Sequence, residues 1–333
     1  MKNTKLLWYF ITFSILFFAA CSDDDDETPA PTPVNESQVL ASYLESTSSP
    51  YGKYYVNTDM PSIIKAEAVH NDIVAGTAMT MIDIRSDVDF ANGHIDGAVN
   101  VAAGAVLDYI ETEGLAMDAK IIVICYTGQT AGWVTSILRL NGYTNAFDMK
   151  WGMSSWHSDF AAKWSTNVSN MYSTQFEGDA VAKGAVGSMP TLSTGKTTGQ
   201  EIFSARVTDI LTEGFGAAKI SSAEVFANTG NYYIVNYWAE SDYTLYGHIP
   251  GAMQYTPKMS ISTTADLKTL PTDKTIVVYC WTGQTSAFLT TYLRLLGYDA
   301  KSLLFGANGM IYDELDASHQ WSDVEVMDYD YVN

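Results

Sequence analysis

Two cysteines stand at the same point of a phrase that the chain writes twice. Cys125 lies in IIVICYTGQTAGWVTSILRLNGY, Ile121 to Tyr143, and Cys280 in TIVVYCWTGQTSAFLTTYLRLLGY, Thr275 to Tyr298. Each phrase has an apolar run, a cysteine, a short Thr/Gly/Gln loop and a helical pattern. A thiolate is the nucleophilic form of cysteine. A loop that curls around the sulfur can aim backbone N–H groups at it, and the helix N-terminus behind it adds partial positive charge. Gly128 and Gly283 allow the backbone angles that such a curl needs. The spacing therefore predicts two anion cradles with depressed thiol pKa values, able to hold a thiolate or a persulfide, R–S–S⁻.

Strands and helices must deliver these loops. MTMIDI (Met79–Ile84) and IIVIC (Ile121–Cys125) are short apolar, β-branched runs, each followed by a turn signal. In TAGWVTSILRL, Ala131, Val134, Ile137 and Leu138 recur three and four apart, which is one face of a helix. Asn141-Gly142 stops that helix with glycine at C′, and Gly297 stops its counterpart. Apolar strands without alternation, joined by helices, predict an α/β fold: a parallel sheet covered by helices on both faces. Ligands of such sheets bind beyond the carboxyl ends of the strands, where both cysteines sit.

The duplication reaches beyond the loops. NGHIDGAVNV (Asn92–Val101) matches YGHIPGAMQY (Tyr246–Tyr255), and KWSTNVSNMY (Lys163–Tyr172) matches QWSDVEVMDY (Gln320–Tyr329). Cys125 to Cys280 is a step of 155 residues and His94 to His248 one of 154. A step this long means two copies of a domain, not a solenoid. Residues 38–172 form the first domain and 201–333 the second. The Gly/Ser/Thr-rich stretch 173–200 is read as a surface linker.

Residues 1–20 combine a basic start with the apolar run Leu6–Ala20, too short for a membrane span and suited to an export signal. FAAC (Phe18–Cys21) resembles the lipobox of bacterial lipoproteins, which implies lipidation of Cys21. Residues 21–37, acidic and then Pro/Thr-rich, read as a tether. The acidic run resembles a surface-export signal of such lipoproteins. The expected location is the cell envelope, lipid-anchored at the outer membrane and facing the periplasm or the surface. A net charge of −20 argues against a nucleic-acid partner. Five histidines without clustered spacing predict no metal site, and nothing calls for a cofactor. Cys125 and Cys280 each belong to their own sheet, so no disulfide is expected between them.

DIRSDVDFANGHIDGAVNV, the CYTGQTA loop and WGMSSW (Trp151–Trp156) resemble the rhodanese domain, and the motifs recur in order in the second half. The resemblance implies two rhodanese-like domains with Cys125 and Cys280 as persulfide sites. It implies that Tyr126, Thr127, Gly128, Gln129 and Thr130, and Trp281, Thr282, Gly283, Gln284 and Thr285, line them. The implied activity moves sulfane sulfur from a small donor such as thiosulfate to cyanide or a thiol. The loops differ from active members in carrying Tyr126, Gln129 and Thr130, or Trp281, Gln284 and Thr285, where Arg or Lys is frequent. Asp83-x-Arg85 becomes Asn236-x-Trp238 in the second copy. Asp83 and Arg85 are read either as a structural pair or as substrate ligands, and Arg85 would favour anionic donors at Cys125 unless Asp87 or Asp89 neutralises it. His94 and His248 are read as hydrogen-bonded fold markers. A phosphatase of this fold needs a longer loop ending in Arg, and Thr130 and Ala131 stand there instead. Two functions remain open: an exported sulfurtransferase or persulfide carrier, and a non-catalytic rhodanese-like binding module on the cell surface.

Overall fold

The computed structural model describes residues 35–333. The signal segment 1–20, Cys21 and most of the tether 21–37 lie outside the described residues. Helix α1 (Glu36–Leu44) takes the last two positions of that tether. Asn35 caps it, its side-chain oxygen accepting the Gln38 N–H.

Each copy builds a five-stranded parallel sheet. The first contains β1 (Ile63–Ile64), β2 (Thr80–Asp83), β3 (Val99–Asn100), β4 (Ile121–Ile124) and β5 (Ala146–Met149), in the order β1-β5-β4-β2-β3. The second contains β6 (Lys219–Ile220), β7 (Tyr233–Asn236), β8 (Met253–Gln254), β9 (Ile276–Tyr279) and β10 (Ala300–Leu303), in the order β6-β10-β9-β7-β8. Every strand pair is parallel, and helices flank both sheets. All four residues of β4 and all four of β9 are buried, as strands covered on both faces require.

Helix α2 (Gln129–Leu140) follows the first cysteine loop and α4 (Gln284–Leu295) the second. Gly142 N–H donates to Arg139 O and Tyr143 N–H to Leu138 O, with Gly142 at φ +99°. That is the pair of hydrogen bonds of a Schellman stop, and Gly297 N–H to Arg294 O with Tyr298 N–H to Leu293 O repeats it.

The copies are joined face to face. α2 packs along α4: Ser136 Oγ donates to Phe288 O at 3.2 Å and Thr291 Oγ1 to Trp133 O at 3.3 Å. A Cβ on Gly132 would stand 3.1 Å from the Phe288 ring, so glycine allows the close approach. One cluster of buried side chains runs through both helices, from Leu40 to Ala300. Helix α3 (Gly199–Ala217) packs against α1, and Ser37 Oγ donates to Leu296 O at 2.6 Å.

The two copies also exchange their tails. Residues 169–177, read as the end of the first domain and the start of the linker, lie on the second copy. Tyr172 N–H donates to Met310 O, and Glu177 pairs antiparallel with His248. Residues 321–332 lie on the first copy. Met327 N–H donates to Ser155 O, Tyr329 N–H to Trp156 O, and Val332 pairs antiparallel with His94. The rest of the stretch read as a surface linker is mostly exposed, with Met189 buried and Lys183 paired with Asp266 at 2.6 Å. His94 and His248 each sit beside an exchanged tail and stack on an aromatic ring, Phe90 and Tyr243 respectively.

Candidate functional site

β4 ends at Ile124 and hands Cys125 to the loop, and β9 does the same for Cys280. Gly128 and Gly283, both at φ +81°, then start α2 and α4. Cys125 Sγ accepts from Gly128 N at 3.1 Å and Ala131 N at 3.4 Å. Cys280 Sγ accepts from Gly283 N at 3.2 Å and Ser286 N at 3.3 Å. The sequence-predicted curl of N–H groups around each sulfur is therefore present.

Its expected electrostatic result is reversed at Cys125. The residue is 6 % exposed. Burial pushes its thiol up to about 11, the buried carboxyl of Asp148 adds to the rise, and the N–H groups of Ala131, Thr127 and Gly128 offset only part of it. Desolvation of the charged form outweighs a few neutral donors when no cation stands by the sulfur. Cys280 is 2 % exposed and has a different neighbour: its thiol donates to Ser286 Oγ at 3.6 Å. Both cysteines are free thiols.

Most of the other loop side chains find partners other than the sulfurs. Gln129 reaches the second copy, where its Oε1 accepts from Phe305 N at 2.8 Å. Gln284 reaches the first, its Oε1 accepting from Trp151 N at 3.2 Å and its Nε2 donating to Asp148 Oδ2 at 2.6 Å. Both glutamines are buried. Thr127 Oγ1 accepts from Gln129 Nε2, and Thr282 Oγ1 from Gln284 N. Thr130 and Thr285 are half-buried at the helix starts. Tyr126 donates its hydroxyl to Asp89 Oδ1 at 2.9 Å. Trp281 is stacked between Trp238, 3.9 Å away, and His319, 3.8 Å away.

Asp83 and Arg85 pair with each other. Both carboxylate oxygens accept from Arg85 Nε at 3.0 Å, and Oδ2 accepts from Nη2 at 2.6 Å. Nη2 also donates to Gly93 O, tying the end of β2 to the Gly93–His94 turn. The neutralising partner is thus Asp83 rather than Asp87 or Asp89. In the second copy Asn236 Nδ2 donates to Tyr279 OH at 2.7 Å, an uncharged replacement.

Three features escaped sequence reasoning. Asp148 is the third residue of β5, wholly buried, with its carboxyl raised well above the usual range by burial. A lone carboxylate in the apolar strand AFDM was the available signal. Its counterpart Ser302 shares a hydrogen bond with Ser286 at 2.8 Å. Trp151, Trp164 and Trp321 form one buried cluster from both copies, which no local pattern announces. Among the described residues no group of three or more His, Cys, Asp or Glu is placed to hold a metal. Among them, too, no helix is long and apolar enough to cross a membrane.

The sequence matches the rhodanese-like domain family over residues 65–159 and again over 227–310. It is similar to the thiosulfate sulfurtransferase GlpE of Shewanella oneidensis, 31 % identical over 80 residues, covering 24 % of this chain and 77 % of that protein. The GlpE of Pseudomonas paraeruginosa is 29 % identical over 86 residues, covering 26 % and 76 %. Among solved structures, a rhodanese-like domain protein from Staphylococcus aureus is 21 % identical, covers 28 % of this chain and 87 % of its own, and superposes with a TM-score of 0.26. With the matched regions falling on the two sheets and their cysteine loops, the chain belongs to the rhodanese-like domain family and carries two such domains in tandem.

Proposed function

We propose that this chain is a non-catalytic rhodanese-fold binding module. The observation that carries the reading is the closure of both cysteine loops: each sulfur is buried, and each loop glutamine is inserted into the opposite domain. Sulfur transfer needs an open thiolate. Thiosulfate would pass its outer sulfur to that thiolate and release sulfite, and cyanide would then remove the sulfur as thiocyanate. Here the Cys125 thiol is held protonated at neutral pH, and no loop residue of either copy is Arg or Lys to attract a sulfur anion.

The rhodanese fold survives in this reading as a rigid double sheet that presents surface. The N-terminal signal and Cys21 would hold the module at the cell envelope by lipid, with the acidic body outside the membrane. That location rests on the sequence of residues 1–37. A second reading, a sulfurtransferase or persulfide carrier, draws on the N–H groups that meet each sulfur and on the names of the similar GlpE proteins. A cyanolysis assay separates the two. The binding reading expects no thiocyanate above a Cys125→Ser/Cys280→Ser control, and turnover that disappears in that control would replace it with the second.

A further inference from the structure

The glutamines of the two loops occupy each other's space. A Cβ placed on Gly128 would stand 2.1 Å from Gln284 Nε2, and one on Gly283 would stand 2.3 Å from Gln129 Oε1. Each carboxamide therefore lies directly against the glycine that starts the opposite helix. Only glycine leaves room for it.

What each glutamine holds is the segment that closes the opposite cysteine loop. Gln284 Oε1 accepts from the N–H of Trp151, whose φ of +63° is a conformation that a side chain rarely adopts. Directly after it, Gly152 lies so close to the loop that a Cβ there would stand 2.2 Å from Cys125 O. Met153 N–H then donates to Cys125 O at 2.8 Å, and Ser154 N–H to Tyr126 O at 3.1 Å. The second copy repeats the arrangement. Gln129 Oε1 accepts from Phe305 N, and Phe305 has φ +61°. A Cβ on Gly306 would meet Cys280 O at 2.3 Å, and Ala307 N–H donates to that oxygen at 3.0 Å. A continuous path thus runs from the glutamine of one domain, through a strained residue, to the cysteine of the other.

We propose that the two loops form a reciprocal latch, in which Gln129 is the positioning residue that closes the Cys280 site and Gln284 the one that closes the Cys125 site. The inference rests on the closed-loop reading above and deepens it: access to each sulfur is set in trans, so a partner that lifts one loop opens the other domain. The latch is unequal. Gln284 makes two bonds across the interface, to Trp151 N and Asp148 Oδ2, whereas Gln129 makes one and spends its Nε2 on its own Thr127.

The test is pulsed iodoacetamide alkylation of the full chain, with the two cysteine peptides quantified separately by mass spectrometry. The variants are Gln129→Ala and Gln284→Ala, with Gln129→Met and Gln284→Met to keep the volume while removing the bonds. A crosswise result is expected. Gln284 variants raise the rate at Cys125 roughly tenfold or more, about what one unmade buried hydrogen bond does to an opening equilibrium. Gln129 variants raise the rate at Cys280 by a smaller factor. Acceleration of the cysteine in the mutated loop itself, equal acceleration of both, or no change in either overturns the latch. A fall in melting temperature with equal acceleration counts as general loosening and also overturns it. Thiocyanate release by the unaltered chain would remove the binding reading but leave a crosswise result standing, so the two failures are told apart.

Discussion

The thiol of Cys125 gives the sharpest quantitative test of a closed site. An ordinary thiol at 9.0 is about one part in a hundred ionised at pH 7, and one at about 11 is about one part in ten thousand. Because the thiolate is the species that reacts, alkylation of Cys125 at pH 7 should run about a hundredfold slower than that of an exposed thiol, before any steric protection. The perturbation is Asp148→Asn. Burial is the larger cause of the rise and the Asp148 carboxyl the second, so the substitution should lower the midpoint while leaving it above 9.0. The assay is the rate of iodoacetamide labelling against pH in a Cys280→Ser background, over a range in which the fold is intact by circular dichroism. Stability carries the same sign. The raised value favours the protonated thiol in the folded state, so this contribution is fully present below 9.0 and is lost as pH rises through about 11. A midpoint near 8.5 or lower, or no response to Asp148→Asn, would refute the reasoning.

Arg85→Ala leaves the Asp83 carboxylate buried and unpaired. It should cost about 3–5 kcal/mol in denaturant unfolding, whereas a loss under about 1 kcal/mol would show the pair to be solvated. Trp321→Ala removes one of the three rings of the buried Trp151–Trp164–Trp321 cluster and should cost about 3–5 kcal/mol, read from the shift in unfolding midpoint. Because that cluster joins both domains, the transition should stay single, and a separate early unfolding of one domain would contradict the exchanged packing. Cys21→Ala should free the chain from the membrane fraction or leave it unprocessed. Continued recovery as a processed membrane lipoprotein would end the anchoring proposal.

Much of the fold is legible in the residues because its signals are local. Ile121–Ile124 and Ile276–Tyr279 are uniformly apolar and become central strands, and Gly142 and Gly297 stop their helices with the hydrogen bonds that a C′ glycine makes possible. The cysteine loop is legible for the same reason: strand end, glycine and helix start lie within a few residues. What lies between the copies is not. Helix α2 carries the small or polar residues Gly132, Thr135 and Ser136, yet Thr135 and Ser136 are fully buried, with Ser136 donating to Phe288 O of α4. Ser136 satisfies its hydroxyl on the backbone of α4, so it tolerates burial without an apolar signature. The tails match in sequence, KWSTNVSNMY with QWSDVEVMDY, but a repeat pattern cannot tell which copy a tail packs on. The sign of the Cys125 shift was missed for a related reason. The N–H groups are visible in the loop, but the desolvation that outweighs them comes from the whole fold, and Asp148 lies on a different strand.

Intact mass tests the central claim most directly. The purified chain is incubated with excess thiosulfate, and separately with a small persulfide donor, then desalted and weighed without reductant. The closed-loop account predicts the unmodified mass from both incubations. A gain of one sulfur atom per chain that disappears with Cys125→Ser or Cys280→Ser, or of two that disappear only with both, would contradict it and make the chain a sulfur carrier.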